Sequence, residues 1–286
     1  MEKSTKAKIY AGITILLWAT VFIFTKAGLR YYYAETLAAI RYIVASAGLI
    51  VLIFIKKIKK PDLKDIPLFL ILGFLGFAFY IITFNRGMVT LNSSTSSVIL
   101  ACSPIIASVL SGIFLKEKVS IFGWMSIITS FLGITVLTLW EGVFKFNTGI
   151  FWILLSAVLV ATYNVSLRKV TEKYTGMEVA VYSMLAGTLL LIIYLPASIL
   201  KIGSMNSVSF FVVIWLAIPG TVIAYIFWSM ALEVADTTGE VTNFMFITPF
   251  LATIMGIIFL GEKLTVATVT GGILILSGVI GYSKYK

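Results

Sequence analysis

The 286-residue sequence has no histidine and a single cysteine, Cys102. Without histidine there is no imidazole to serve as metal ligand, general base or proton relay. One cysteine allows neither an intrachain disulfide nor a thiolate metal cluster, and Cys102 falls in the middle of an apolar run. Charge is scarce too: Asp, Glu, Lys and Arg make up 12% of the chain, against roughly 25% in an ordinary soluble domain. Long polar stretches are also missing. The longest connection, KKIKKPDLKDIP from Lys56 to Pro67, has twelve residues, so no extramembrane domain is expected.

What the chain has in abundance is apolar side chain, 60% of all residues. Many runs stay apolar for about 18 to 22 residues, the length that crosses a ~30 Å hydrocarbon layer at ~1.5 Å rise per residue. The runs are continuous rather than alternating, which predicts helices and not barrel strands. The expectation is an all-α integral membrane protein with ten transmembrane helices near 9–28, 35–55, 66–87, 94–115, 120–140, 149–168, 177–199, 208–232, 241–260 and 265–283. The first run follows Lys3, Lys6 and Lys8, as a signal peptide would. It extends to Gly28 without a small-x-small cleavage site, so a retained helix is expected.

The net charge of +10 does not point to nucleic acid, because the basic residues sit in short connections. With the N-terminus inside, fifteen Lys and Arg fall in inner segments and four (Arg30, Lys145, Lys201, Lys263) in outer ones. Lys26, Arg41 and Arg86 lie within or at the edge of spans. The positive-inside rule then puts both termini in the cytoplasm; the expected location is the cell's inner or plasma membrane.

Two stretches read almost alike: PIIASVLSGIFLKEK from Pro104 and PFLATIMGIIFLGEK from Pro249, identical at seven of fifteen positions. Tyr80-Ile81 recurs as Tyr225-Ile226 and Gly133 as Gly278, each at the spacing that separates Pro104 from Pro249. Each unit holds five helices, an odd number, so the second copy (147–284) enters the membrane inverted relative to the first (7–141). Inverted repeats supply two near-equivalent conformations, the requirement of alternating access; a duplication kept only for packing is the other reading. The Pro…Glu-Lys segments, Trp18-Ala19 and the 5+5 plan resemble the ten-helix drug/metabolite transporter superfamily, EamA type. That resemblance implies helices 4 and 9 lining a central site and says little about substrate, since relatives move amino acids, quaternary amines, sugars and organic cations.

Pro104 and Pro249 lie near mid-membrane and each removes one helical hydrogen bond, freeing the carbonyls of Leu100 and Met245. Such breaks belong where protein or a wet cavity covers them, so both are candidate hinges. At similar depth stand Trp18, Thr20, Tyr80, Phe84, Ser97, Tyr163, Asn164, Tyr225, Trp228, Asn243 and Phe246, the candidate substrate contacts. The mid-span amides Asn164 and Asn243 need partners or water, and the rings suit an apolar or cationic moiety. Each ring taken singly also fits lipid or core. The run NSSTSS (Asn92 to Ser97) reads as an N-cap with small residues for close helix approach, or as a polar vestibule wall. Lys26 and Arg168, which match each other at a slightly shorter spacing, could be paired gates, closed by Glu35 or Glu141 on one side and Glu233 or Glu240 on the other, or snorkelling anchors.

Helix 1 carries no carboxylate, unlike the small multidrug-resistance pumps of the same superfamily, so their proton exchange is not carried over. The leading expectation is a secondary transporter exporting a small polar metabolite, an amino acid or amine. A quaternary-amine importer such as one for choline is the alternative. A membrane-embedded enzyme lacks a converging acid–base or metal set. No cofactor is expected; the partners are a small-molecule substrate and lipid, with the chain a monomer or homodimer.

Overall fold

The computed structural model describes residues 3–114, 120–139, 147–203, 205–235, 241 and 243–285, and every regular element among them is helical. Ten rods follow one another: α1 (Lys3–Gly28), α2 (Ala34–Lys56), α3 (Leu63–Thr90), α4 (Ser93–Leu100 and Ser103–Phe114) and α5 (Ile121–Leu139). Then come α6 (Thr148–Val170), α7 (Gly176–Leu191 continuing to Ile202), α8 (Ser207–Val234), α9 (Asn243–Leu260) and α10 (Val266–Tyr285). Among the described residues, seven helices are long and apolar enough to cross a membrane. The apolar stretches Ile121–Leu137, Phe244–Leu260 and Val266–Tyr282 are shorter.

Local chemistry sets the ends. The Asn92 side chain accepts from Thr95 N, Asn147 from Gly149 N, and Asn206 from Ser209 N, each satisfying an otherwise orphaned first-turn donor. Thr175 and Glu178 form a reciprocal capping box that starts α7. Helix α9 stops at Gly261, whose φ of 64° only glycine adopts without strain. Large apolar side chains such as Phe54, Phe131, Ile193, Leu200 and Phe259 remain exposed around the outside, which is the surface that lipid covers.

Inside, small residues let backbones approach. The most extensive contact joins α5 to α10. A methyl placed on Gly133 would come within 2.6 Å of Gly271 O, and one on Gly278 within 2.5 Å of Ser126 O. Gly278 and Gly271 are the repeat counterparts of Gly133 and Ser126, so the contact is reciprocal, as in a two-fold interface. Ser130 Oγ also donates to the carbonyl of Ile275 (3.0 Å), its own counterpart in the second half.

Helices α3, α4, α8 and α9 depart from regular α geometry, and two of the departures coincide in register. Helix α3 widens to a π turn over Phe74–Ala78 and α8 over Ile218–Ile223. The i→i−5 bonds Phe79 N to Phe74 O and Ala224 N to Pro219 O fall at corresponding positions of the two repeats. Pro219 explains the second, since it has no N–H for the α ladder. Helix α4 breaks at Ala101–Cys102, while α9 opens with a 3₁₀ stretch, Asn243–Ile247, before Thr248.

The prolines therefore sit differently from the expected mid-helix kinks. Pro249 lies in the first turn of Thr248–Leu260, and Pro104 is the second residue of Ser103–Phe114. A first-turn residue has no intrahelical partner for its N–H, so neither proline removes a bond that its own segment would make. The breaks are discontinuities ahead of the prolines rather than bends at them.

Candidate substrate cavity

A cavity of about 170 Å³ lies among the helices near their mid-length, room for roughly five water volumes. Much of its lining comes from the two sequence halves in matched pairs at the repeat spacing: Tyr80 with Tyr225, Leu100 with Met245, Ala101 with Phe246, Ser103 with Thr248, and Pro104 with Pro249. Trp18 with Val160 and Phe22 with Asn164 are matched at the slightly shorter spacing of Lys26 and Arg168. The helix breaks of α4 and α9 thus face each other across the same space, where irregular backbone is tolerated at membrane depth.

Of the expected contacts, Trp18, Tyr80, Phe84, Ser97, Asn164, Tyr225 and Phe246 line this cavity, as do Pro104 and Pro249. Rings support one another around it: Trp18 meets Tyr225 edge-on at 5.6 Å, Phe84 meets Phe22 at 5.3 Å, and Tyr80 stacks on Phe84 at 6.1 Å. Three expected residues stand back from it. Thr20 is turned to α8, where its Oγ1 accepts from Trp215 Nε1 (2.9 Å) and donates to Leu17 O. Tyr163 is buried against Phe77 (5.3 Å) and Gly76. Trp228 backs Trp18 at 5.0 Å without reaching the space. The side chains of Asn243 and Arg168 and the whole of Glu240 lie outside the described residues.

Sequence reasoning passed over Arg41 and Tyr42, which line the cavity from α2. The Arg41 side chain is buried, with the residue 6% exposed. Its Nε and Nη2 both donate to Thr221 Oγ1 at 3.0 Å, while Thr221 Oγ1 donates its own proton to Leu216 O (2.8 Å). That hydroxyl is saturated, and it belongs to the π turn of α8. No carboxylate pairs with Arg41 among the described residues. Insertion scales put a guanidinium at about 3 kcal/mol at a helix centre, and Arg41, in the third turn of α2, carries part of that cost. The signal available in the sequence was only that cost: a full charge inside an apolar run.

The serine-threonine run does what a cap and close-packing segment does. Ser93 to Ser97 are all buried, Thr95 shares a hydrogen bond with Thr268 (2.9 Å), and only Ser97 reaches the cavity.

Each end of the bundle carries a polar tie between the two halves. At the end of the α3–α4 turn, the Glu262 carboxylate accepts from Ser93 N and Oγ, all at 2.9 Å. Lys26 is not paired with Glu35 there. Its ammonium donates to the carbonyls of Met88 (2.8 Å), Val89 (3.3 Å) and Leu91 (2.7 Å), closing the C-terminus of α3. Glu35 pairs instead with Arg86, whose guanidinium lies 4.8 Å over Trp152. Glu141 lies outside the described residues. At the lysine-rich end, Lys173 donates to Asp62 and Asp65, and the Tyr174 hydroxyl also donates to Asp65. Asp62 and Asp65 hold the Lys173 ammonium above the ordinary lysine range.

This geometry has company. A crystal structure of a protein 18% identical in sequence superposes with a TM-score of 0.64 over 97% of both chains. An uncharacterized transporter of Bacillus subtilis, YdfC, is 30% identical over 97% of this chain and 91% of its own. A protein of Streptantibioticus cattleyicolor named as a probable terminal-alkyne amino-acid exporter is 27% identical, over 97% and 93%. The model of the EamA-like transporter family matches residues 5–139 and 147–284. With nearly the whole chain covered, this multi-pass membrane protein belongs to the EamA-like transporter family.

Proposed function

We propose that the chain is a secondary transporter that exports a small organic metabolite of the amino-acid or amine class. It works by alternating access around the cavity between two inverted five-helix halves, 7–141 and 147–284. One observation carries this reading: much of the cavity wall is supplied in pairs by corresponding positions of the two repeats. A site on a pseudo-two-fold axis can be opened to either side by exchanging the conformations of two similar halves. The paired π turns and the reciprocal α5–α10 contact support the same symmetry.

In this reading all ten rods span the membrane, with the lysine-rich end and both termini in the cytoplasm. Trp18, Tyr80, Phe84, Ser97, Asn164, Tyr225 and Phe246 contact substrate, Trp228 and Tyr163 brace those rings, and the α4 and α9 discontinuities flex. The export direction is supported by the name of the Streptantibioticus relative. Import of a quaternary amine is less well supported, because a buried guanidinium faces the same space and repels a purely cationic ligand.

The test is counterflow in proteoliposomes with labelled amino acids and amines. Accumulation of a label against its unlabelled form, persisting after the pH gradient is collapsed, is expected for a carrier driven by its own substrate. Absence of flux across the whole panel would overturn the transport reading of the cavity. Flux only under an imposed pH gradient would overturn the coupling.

A further inference from the structure

Arg41 breaks the pairing of the cavity wall. Helix α2 begins at Ala34 and α7 at Gly176. Counting the same number of positions into each helix makes Ser183 the counterpart of Arg41, a small neutral residue. The cavity is pseudo-symmetric in shape and asymmetric in charge.

The chemistry of Arg41 is also incomplete. A guanidinium has five N–H donors and no acceptor. Two are used on Thr221 Oγ1, and the other three have no hydrogen-bond partner among the described residues. If the only task were to join α2 to α8, a neutral donor would do it without the cost of burying a charge. The tie to Thr221 fixes one edge of the planar group in a residue that lines the cavity, and the opposite edge keeps the paired donors that suit a planar anion.

We propose that Arg41 is the anion anchor of this site, and that the substrate carries a carboxylate that it binds through two parallel N–H···O bonds. This rests on the reading of the cavity as the transport site. The apolar body of the substrate then lies on Trp18, Phe84 and Phe246, and Asn164 and Ser97 are left for its remaining polar groups. Thr221 is a positioning residue: it holds the anchor without touching substrate. Because the anchor has no charged counterpart in the second half, the substrate keeps its carboxylate on the α2–α8 side whichever half of the bundle opens. Amino acids and simple organic acids fit this class, whereas amines without an acidic group do not.

The test measures binding and counterflow in the purified full chain, using three matched probes: an α-amino acid, its carboxamide, and the corresponding carboxylic acid lacking the amine. The panel runs over the side chains of the common amino acids, with choline included. At least one carboxylate-bearing probe should be transported and its carboxamide not. Arg41→Gln should weaken binding of that probe by roughly 10- to 100-fold. Arg41→Lys should keep the preference for carboxylate over carboxamide at lower affinity. Should Arg41→Gln fail to fold, Thr221→Val supplies the second arm: the charge stays, KM rises several-fold, and the preference is unchanged.

Transport of carboxamides or choline as good as that of the carboxylates would overturn the anchor while leaving the transport site standing. So would undiminished carboxylate affinity in both Arg41→Gln and Arg41→Lys. Failure of every probe in wild type would overturn both the anchor and the reading beneath it.

Discussion

Glu262 and Ser93 come from opposite halves of the chain, yet the Glu262 carboxylate accepts both the backbone N–H and the hydroxyl of Ser93 at 2.9 Å. Ser93 opens α4, so the carboxylate sits where unpaired helix N–H groups and the dipole favour negative charge. Gly256 leaves the room: a methyl there would come to 3.1 Å from the Glu262 carboxyl carbon and closer still to Oε2. The Glu-Lys turn of the second half thus fastens that half to the helix of the first that borders the cavity.

Two substitutions should loosen this tie in the same direction. Glu262→Gln removes the charge, and Gly256→Ala displaces the carboxylate without altering it. Each should lower stability by about 1–2 kcal/mol, the range for a partly exposed hydrogen bond to a charged group. Each should also favour opening at that end. The check is the alkylation rate of a cysteine replacing Ser103 in the cavity wall, in a Cys102→Ala background. An unchanged rate from that side would reduce the tie to a stability element.

The lysine-rich end should respond oppositely. Lys173→Gln removes the link between the α6–α7 connection and Asp62 and Asp65, so the same reporter should become more reactive from the lysine-rich side. The pH dependence has a definite sign. Because the ammonium is held above its ordinary range, the contribution of the pair is fully present below the unfolded lysine value of about 10.4 and fades only as pH rises through the higher folded value. The melting-temperature difference between wild type and Lys173→Gln should therefore stay constant between about pH 7 and pH 9. A difference that shrinks across that interval would contradict the pairing.

Cysteines introduced singly at Ser120 and Thr265 should label from opposite faces of the membrane. The two positions occupy corresponding turns, before Ile121 and before Val266, and an odd number of spans separates them if each half crosses five times. Labelling both from one face with a membrane-impermeant reagent would remove the inverted repeat.

Much of this arrangement was legible in residue order. Apolar run length places the rods within a few residues, because in lipid every backbone group must be satisfied inside its own segment. The repeat spacing picks out Tyr80 and Tyr225 together, and both reach the cavity. Helix rotation is less legible: rods apolar on all sides give no amphipathic face, so Thr20, Tyr163 and Trp228 had the right depth and pointed elsewhere. Arg41 was hidden among residues read for topology, since a cation early in a span resembles an end anchor until its neighbours are known. The π turns leave almost no trace in sequence; Pro219 marks one, but no proline accompanies Phe74–Ala78.

The repeated prolines give the last prediction. Both sit within the first turn of a helical segment that begins after a discontinuity at the cavity wall, where a missing N–H costs little. Alanine at Pro104 or Pro249 should therefore leave folding stability within about 0.5 kcal/mol of wild type, since proline at a first turn removes no bond. What proline does prevent is extension of the helix backwards, because its ring clashes with the carbonyl four residues earlier, Leu100 or Met245. With that clash gone, Ser103–Phe114 can join Ser93–Leu100, and Thr248–Leu260 can absorb the 3₁₀ stretch Asn243–Ile247. Straightening either helix stiffens the conformational step, so turnover should fall while equilibrium binding of substrate stays the same. The two variants alter opposite halves, and the Ser103 or Thr248 reporter cysteine should shift toward opposite faces in the two. A shift toward the same face in both, or unaltered turnover in both, would leave the discontinuities as rigid parts of the wall and move the flexing elsewhere in the bundle.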